Sequence, residues 1–210
     1  MTSASPAAAY QRRIFRAKRA AILDAALDCF LERGFAGTSL NRIAAAAAVS
    51  TATVYRHFPS KDELFAQIIE RTFLDGAAES LDTLPTGQPA AVLPQIAERY
   101  ARLILTPHFQ PLVRVLIAEA VRLPQLGHAL EQRGHGPFLA AVKRYFEREH
   151  ALGTLVVADP GLAAEQFLGM ISSVVFWPRM LNDQRRPSAA KVERTCEAAV
   201  AAVLARHGPG

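Results

Sequence analysis

Apolar residues between positions 18 and 73 recur three or four places apart, and short breaks divide them into segments. This spacing places side chains on one face of an α-helix, whereas a strand would alternate at every second residue. The breaks fall at Gly34, at Ala48-Val49-Ser50 and at Pro59, residue types that end helices or connect them. The pattern predicts four helices, at about 18–33, 39–47, 50–58 and 61–80.

Polar residues at the starts of these segments predict how the helices are capped. Thr38 is the expected N-cap of the second helix, because a hydroxyl there can accept a hydrogen bond from a free backbone amide. Ser60 and Glu63 have the spacing of a capping box at the start of the fourth helix.

The remainder of the chain is helical in pattern, and no segment alternates as a strand does. The segment 84–89 contains two prolines and a glycine and is the clearest internal break. Beyond it the expected helices lie at about 90–105, 109–122, 125–133, 138–150, 160–181 and 188–206. The fold class is therefore all-α, with a basic N-terminal three-helix unit that contains a helix-turn-helix and a larger C-terminal helical body. The expected divisions are a flexible basic arm at 1–17, a first domain at 18–63 and a second at 64–206.

Charge is unevenly distributed along the 210 residues. Residues 1–63 contain nine Lys or Arg against five Asp or Glu, whereas the remainder contains 15 against 14. A basic end on a nearly neutral body indicates a polyanionic partner at that end. No apolar run approaches the roughly 18–20 residues of a membrane span, and the start of the chain resembles no secretory signal. Cys29 and Cys196 are too far apart for a zinc or disulfide motif, which favours a cytoplasmic protein.

The three residues that link the second and third helices match the turn of a helix-turn-helix. In that motif the N-terminal end of the second helix enters the major groove of DNA. Here that end is Ser50-Thr51-Ala52-Thr53, whose small side chains permit close approach and whose hydroxyls can bond bases or phosphates. Val54 and Phe58 lie four apart and face inward, so the expected outward residues are Thr51, Ala52, Tyr55, Arg56 and His57.

The ordered sequence around this motif resembles the DNA-binding domain of the TetR family of transcriptional repressors. The similarity extends from Arg19 to Leu64, about 50 of the 210 residues. It includes FLERGFAGTS at 30–39 and VSTATVYRHFPSKDEL at 49–64. The later helices resemble the family in length and number only.

The resemblance implies roles for individual residues. Thr38, His57 and Lys61 match phosphate contacts, and Tyr55 matches an aromatic that touches backbone or base. Thr51 and Ala52 occupy base-reading positions, and Asn41 or Arg42 adds a contact from the second helix. The full expected DNA-binding set is Thr38, Asn41, Arg42, Ser50, Thr51, Ala52, Thr53, Tyr55, Arg56, His57 and Lys61.

One position departs from the family pattern, because Ala48 stands where glycine is usual. A residue with a side chain costs about 1 kcal/mol at a positive φ angle. Either the turn has a different shape or the chain tolerates this small cost.

The basic segment before the first helix has two interpretations. Arg12, Arg13, Arg16, Lys18 and Arg19 can form an arm that adds phosphate or minor-groove contacts. They can equally form a solvated charged surface, which is the usual meaning of a charge run.

Reading two DNA half-sites requires a dimer, and the last two predicted helices are the candidate interface. Their apolar residues recur at helical spacing, although the same stripes can instead face the core of their own domain. The residues expected at a homodimer interface are Phe167, Met170, Ile171, Val174, Val192, Cys196, Val200 and Val203.

The resemblance also implies a small-molecule effector site among the middle helices. Apolar cavities with few polar groups are common ligand sites, although aromatic residues at helical spacing are more often plain core. The scarcity of charge in these helices favours a lipophilic effector. The residues expected to line the pocket are Tyr100, Ile104, Phe109, Leu112, Leu116, Phe138, Phe176 and Trp177.

The sequence predicts neither an enzyme nor a bound cofactor. It contains none of the common nucleophile, phosphate-loop or metalloprotease motifs. His128, Glu131 and His135 have a spacing that can ligate a metal, but the nearby glycines disfavour a regular helix, so no metal site is expected. The leading interpretation is a ligand-responsive dimeric repressor, in which the fourth helix couples effector binding to DNA release. The alternative is a helical lipophile-binding protein or enzyme whose basic end is incidental.

Overall fold

The computed structural model describes residues 6–74, 81–181 and 186–209, and all regular structure in them is helical. The prediction of an all-α protein is therefore confirmed. The helices are α1 (Pro6–Arg33), α2 (Leu40–Ala46), α3 (Thr51–His57), α4 (Lys61–Leu74), α5 (Pro89–Ile104), α6 (Phe109–Ala120), α7 (Pro124–Arg133), α8 (His135–Ala151), α9 (Pro160–Val175), α10 (Trp177–Met180) and α11 (Ala189–His207).

The chain divides into two compact units. The first unit contains the residues up to Ile68 together with 115–127, and the second contains 69–114 and 128–210. The division thus falls within α4, five residues later than the expected boundary at 63/64. The sequence pattern also gave no sign that 115–127 groups with the first unit.

The first unit is built around aromatic residues at the ends of its helices. Phe30, Phe35 and Phe65 are buried, and each ring centroid lies 5.4 Å from the other two. Val54 and Phe58, four residues apart, are both fully buried. Aromatic burial at this density holds short helices that would be unstable alone.

In the second unit α9 packs against α5, α8 and α11. Its core residues include Phe138, Tyr145 and Phe146, all fully buried. Gly134 separates α7 from α8, and a Cβ atom there would lie 2.8 Å from side-chain atoms of Ile69 and Phe73. Only glycine allows this close approach.

A buried carboxylate fixes the loop before α5. Glu149 has no exposed surface, and its two oxygens accept hydrogen bonds from the Gly87 amide at 3.0 and 3.1 Å. The Thr154 hydroxyl also donates to it. Because each contact supplies a donor, the carboxylate is satisfied within the chain.

The structure corrects three predicted helix bounds. Helix α1 begins at Pro6, so the prediction of a flexible arm at 1–17 was wrong for residues 6–17, while residues 1–5 lie outside the described part. The N-cap of α2 is Ser39 and not Thr38. The helix predicted at 160–181 is divided at Phe176, because Pro178 has no amide hydrogen to continue the α9 ladder. The predicted end of the fourth helix, at 75–80, also lies outside the described residues.

Candidate nucleic-acid interface and effector unit

Helices α2 and α3 form a helix-turn-helix whose starts are capped by serines. The Ser39 side chain accepts from the Arg42 amide, and the Ser50 side chain accepts from the Thr53 amide. Ala48 in the turn has φ 52, so the chain tolerates the positive angle. This answers the question raised by the missing glycine: the turn keeps its shape at a cost of about 1 kcal/mol.

Burial separates the two faces of this motif. Ile43, Val54 and Phe58 are fully buried, which orients α2 and α3. Arg42, Ala52 and Arg56 are exposed, and the Tyr55 side chain is 54% exposed. The expectation that Tyr55 faces outward is confirmed. The resulting surface presents one aromatic ring and two guanidinium groups beside a small alanine.

Hydroxyl groups at the start of α3 are bonded within the motif. Thr51 donates to the Asn41 side-chain oxygen at 3.0 Å and so links α3 to α2. The Ser50 and Thr53 hydroxyls lie 2.9 Å apart in a hydrogen bond. All four residues lie at the expected end of α3 or on the adjoining face of α2, where they set the shape of that end.

Thr38 does not occupy the position expected for a phosphate contact. Its side chain is 3% exposed, and its hydroxyl lies 3.0 Å from the Cys29 carbonyl oxygen and 2.9 Å from that of Gly34. A hydroxyl has one proton, and both carbonyls compete for it, so no donor is left for a phosphate. The expected contact by the Thr38 side chain was wrong, and the residue instead holds the end of α1.

Lys61 closes the same loop. Its ammonium group donates to the Phe35 carbonyl at 2.8 Å and to the Thr38 carbonyl at 3.0 Å, and it lies 4.3 Å from the Phe35 ring centroid. Two of its three protons are therefore used within the chain. The Lys61 ammonium group still contributes a positive charge to the first unit, but these two hydrogen bonds to the loop fix its position.

His57 is covered by the N-terminal part of α1. Its ring lies 4.1 Å from the Phe15 ring, and both ring nitrogens are buried without a hydrogen-bond partner among the described residues. Burial, followed by the charges of Arg56, Arg19 and Lys18, lowers the pKa of His57 below 6.5. His57 also lines a surface depression of the first unit beside Arg12, Arg16 and Lys18, and the phosphate contact expected of it stays a prediction.

The early start of α1 places the basic residues on a helix. Arg12, Arg13, Arg16 and Lys18 are all exposed there. Arg19 differs from them, because it donates to the Gln67 side chain at 2.6 Å and lies 4.9 Å from the Phe58 ring centroid. Arg19 was part of the charge run in the sequence, and only its partners identify it as a structural residue.

The residues expected to line an effector pocket are mostly tightly packed in the structure. Phe138 is fully buried with its ring 5.5 Å from that of Tyr100, and the rings of Phe109 and Phe176 are 5.6 Å apart. Ile104 and Leu112 are buried in the same unit, whereas Leu116 belongs to the first unit. The eighth residue, Trp177, is 48% exposed.

A groove of about 1010 Å³ lies elsewhere in the second unit, between α5 and α11, and none of these eight residues lines it. Its lining includes Val192, Cys196 and Val200, which were expected at a dimer interface. The periodic pattern identified these residues as apolar but did not show which neighbour they face. Burial, followed by Glu98 and Glu197, raises the pKa of the Cys196 thiol to about 11, so the thiol stays protonated near neutral pH.

Some of the residues expected at a dimer interface lie in the core of the chain, and others lie at its surface. Phe167 and Ile171 are fully buried within the chain, so their assignment to the interface was wrong. Cys196, Val200 and Val203 are also buried. Met170, Val174 and Val192 are half-buried and leave part of their surface free.

Neither a metal site nor a membrane-spanning helix is found in the described part of the chain. No group of three His, Cys, Asp or Glu residues there can hold a metal ion. Within the same residues, no helix combines the length and hydropathy that crossing a membrane requires.

An all-α chain with a capped helix-turn-helix, a basic exposed face beside it and a separate helical unit is typical of bacterial transcriptional regulators. Two family models agree with this class. Residues 22–68 match the model of bacterial regulatory proteins of the tetR family. Residues 91–209 match the C-terminal domain of AefR-like transcriptional repressors. The chain belongs to the TetR family of transcriptional regulators.

Individual relatives are similar over different lengths. The HTH-type transcriptional repressor Rv3405c of Mycobacterium tuberculosis (strain ATCC 25618 / H37Rv) is 35% identical over 85 residues, 40% of this chain and 43% of the relative. This chain therefore matches less than half the length of that relative. A crystal structure of a TetR-family regulator from Mesorhizobium loti MAFF303099 is 29% identical with a TM-score of 0.75, covering 92% of this chain and 98% of its own. The structure of the flavonoid-responsive regulator FrrA is 29% identical with a TM-score of 0.72, covering 91% and 97%.

Proposed function

We propose that this protein is a dimeric repressor that binds an operator through its helix-turn-helix and is released by a small molecule. The observation that carries the proposal is the face formed by Arg42, Ala52, Tyr55 and Arg56. These residues are exposed on two capped helices whose opposite faces are buried. Operator binding would place the protein in the cytoplasm.

The proposal assigns DNA contact to the exposed residues of α2 and α3. Arg42 and Arg56 supply guanidinium groups for phosphates or guanine, and Tyr55 supplies an exposed ring and hydroxyl. Ala52 allows the helix to approach the bases. Ser50, Thr51, Thr53 and Asn41 shape the end of α3, and their hydroxyl and amide groups can exchange partners when DNA binds.

The first turns of α1 extend this surface. Arg12, Arg16 and Lys18, together with Arg56, line a surface depression of about 510 Å³ in the first unit. Four cations around one depression favour a phosphate contact over a purely solvated role, because phosphate binding relieves their mutual repulsion. The proposal therefore assigns phosphate contacts to this helical extension.

Dimerisation is proposed through the exposed sides of α9 and α11. Gly169 and Ala202 are among the lining residues of a shallow depression of about 450 Å³ between these helices, together with Met170. Small residues allow helices of two chains to approach closely, and Met170 can fill gaps between them. In this proposal the surface takes the place of Phe167 and Ile171, which the sequence pattern had suggested for the interface and which are buried.

Effector control is proposed to act through α4. This helix runs from the first unit into the second, with the division at Ile68 and Ile69. A ligand that binds the second unit better in one arrangement of the dimer shifts the population towards it, by its difference in affinity for the two states. The relative FrrA is flavonoid-responsive by name, which supports a small-molecule effector here.

The test is binding of the purified full chain to the DNA that flanks its own gene, by fluorescence anisotropy at two salt concentrations with an unrelated duplex as competitor. We expect binding that resists the competitor and weakens steeply with salt, since neutralised phosphates release counterions. Tyr55→Ala should lower operator affinity about tenfold without a change in unfolding midpoint. Leu152→Ala is the matched control, because Leu152 is 57% exposed in the second unit and should leave affinity unchanged.

The same titrations test the two extensions of the proposal. Arg16→Ala should reduce the slope of log affinity against log salt by about one if α1 contacts phosphate. An unchanged slope would assign that face to solvent. Equal, weak binding to the flanking and unrelated duplexes would contradict operator binding at this locus. Equal loss of folding and affinity in Tyr55→Ala would contradict its place on the reading face.

A further inference from the structure

The positive charges of Arg114 and Arg186 act on Arg179 in the second unit, and none of the three has an acidic partner among the described residues. Arg114 of α6 donates from Nη2 to the carbonyl oxygen of Arg179, at 2.5 Å. The side chain of Arg179 is half-buried, and its Nε and Nη1 atoms are buried without a hydrogen-bond partner. Arg186, in the segment before α11, is exposed.

The electrostatics of this arginine cluster are unfavourable for the chain alone. Burial, followed by the positive charges of Arg186 and Arg114, lowers the pKa of Arg179. An arginine stays protonated even so, because its ordinary pKa is above any working pH. The chain therefore holds three like charges close together and leaves guanidinium donors unsatisfied, two features that a bound anion would remove.

One arginine of the cluster also belongs to the groove between α5 and α11. Arg186 lines this groove, which has a volume of about 1010 Å³. Between Ala189 and Leu204 the lining follows α11 for about 22 Å at the rise of an α-helix. The apolar lining residues include Ala101, Leu105, Val192, Cys196, Val200 and Leu204.

We propose that the arginine cluster and this groove together bind an amphipathic anion, with a single carboxylate or phosphate at the guanidinium groups and an apolar chain along the groove. The proposal deepens the effector function given above and rests on it only for the step from binding to DNA release. It differs from the purely lipophilic effector expected from the sequence in the anionic end that the guanidinium groups would bind.

The groove also limits how much negative charge the ligand can carry. Glu98, Glu193 and Glu197 line it together with Arg102. Carboxylates along the apolar part repel further negative groups, so a polyanion is disfavoured and one anionic end is favoured. Guanidinium forks match the two oxygens of a carboxylate or phosphate, which gives the cluster its selectivity for such a head group.

The chain contains a convenient reporter of binding. Trp177 is its one tryptophan, it is 48% exposed, and it lies two residues before Arg179. We would titrate the full chain with decanoate, decanol, decyl phosphate and inorganic phosphate, and follow Trp177 fluorescence. Decanoate and decyl phosphate should bind at least about tenfold more tightly than decanol, as expected for charge-assisted hydrogen bonds.

Variants separate the cluster from general charge effects. Arg179→Met and Arg186→Gln should each weaken decanoate binding about tenfold and leave decanol binding unchanged. Arg186 is exposed and makes no hydrogen bond to another described residue, so the variant should fold normally. Arg194→Gln is the matched control, because Arg194 is exposed on α11 and does not line the groove.

Several results would overturn the proposal. Equal affinity for decanoate and decanol would exclude the arginine cluster as an anion receptor. Inorganic phosphate that binds as tightly as decyl phosphate would exclude the groove. Asp183 lies outside the described residues; binding of decanoate by Asp183→Asn but not by the unaltered chain would show that the chain supplies its own carboxylate.

Operator anisotropy distinguishes failure of this site from failure of the proposed function. Decanoate binding that leaves operator affinity unchanged would support the anion site and contradict its role as the effector site. Intact operator binding with no decanoate binding would overturn the anion site alone.

Discussion

Arg19 and Arg179 are both half-buried, yet the two units of the molecule treat them in opposite ways. In the first unit Arg19 donates to Gln67 at 2.6 Å and lies 4.9 Å from the Phe58 ring centroid. In the second unit Arg179 has two buried nitrogens without a partner and two positive neighbours. A charge that is satisfied within the chain stabilises the fold, whereas an unsatisfied one costs free energy of folding unless a ligand pairs with it.

The same contrast holds for two other polar groups. Glu149 in the second unit is fully buried and accepts from Gly87 and Thr154. His57 in the first unit has buried ring nitrogens and no hydrogen-bond partner among the described residues. Each unit thus provides an example of a satisfied and of an unsatisfied group, so the difference follows local partners and not the unit as a whole. Four substitutions test this comparison.

Glu149→Ala should have the largest effect on stability, a loss of about 3 kcal/mol in urea unfolding, because it removes the fully buried carboxylate that accepts from the Gly87 amide and the Thr154 hydroxyl and leaves a cavity in its place. Glu149→Gln keeps one acceptor oxygen and should lose less, which preserves the test if the alanine variant fails to fold. The control is Glu147→Ala, since Glu147 is exposed on the same helix and should change stability by about 0.5 kcal/mol at most. Equal effects at 147 and 149 would contradict the role of the buried carboxylate.

Arg19→Met should cost about 1–2 kcal/mol, since it removes a charge-assisted hydrogen bond and a cation–π contact while keeping a flexible apolar side chain. Chemical denaturation of the full chain measures the change. Arg16→Met is the comparison, because Arg16 is exposed three residues earlier on α1 and should be neutral within about 0.5 kcal/mol. If both substitutions leave the free energy of unfolding unchanged, the contacts of Arg19 do not stabilise the fold.

Arg179→Met should leave stability unchanged or raise it by up to about 1 kcal/mol in a buffer without phosphate or carboxylate, because an apolar side chain has no buried donors to satisfy. The essential result is that the free energy of unfolding does not fall in Arg179→Met, whereas it falls in Arg19→Met. A loss of more than about 1 kcal/mol would mean that the Arg179 guanidinium is already satisfied within the chain.

Sequence patterns were sufficient where local chemistry decides the structure. The third helix at about 50–58, the inward Val54 and Phe58 and the outward Tyr55 all follow from spacing within a few residues. Patterns failed where a distant neighbour decides. Thr38 and Ser39 are adjacent residues that both carry a hydroxyl group. Only the structure shows that the Thr38 hydroxyl is buried and bonded to the carbonyl oxygens of Cys29 and Gly34.

Periodicity has a similar limit at longer range. The stripe that contains Phe167 and Ile171 shows that α9 has an apolar face but not whether that face meets its own chain or a second one. Residues 6–17 carry no apolar stripe, so their helix was missed, although alanine and arginine have high helix propensity. The unpaired state of Arg179 leaves no trace in the sequence, because it depends on which distant groups surround its side chain.

His57→Phe should have the smallest effect, visible only as a change in pH dependence. The pKa of His57 is lowered in the folded chain by burial and by Arg56, Arg19 and Lys18, so the unfolded chain takes up the proton first as the pH falls. The contribution to stability is therefore complete well above pH 6.5 and decreases as the pH falls through and below this value. Phenylalanine keeps the ring against Phe15 and removes the titration, so the variant should lose less stability on acidification than the unaltered chain. Urea midpoints one pH unit above and one below 6.5 measure the difference. Identical pH dependence in the two proteins would mean that the His57 ring gains a partner for its proton in solution, and His57 would then join Arg19 among the satisfied groups.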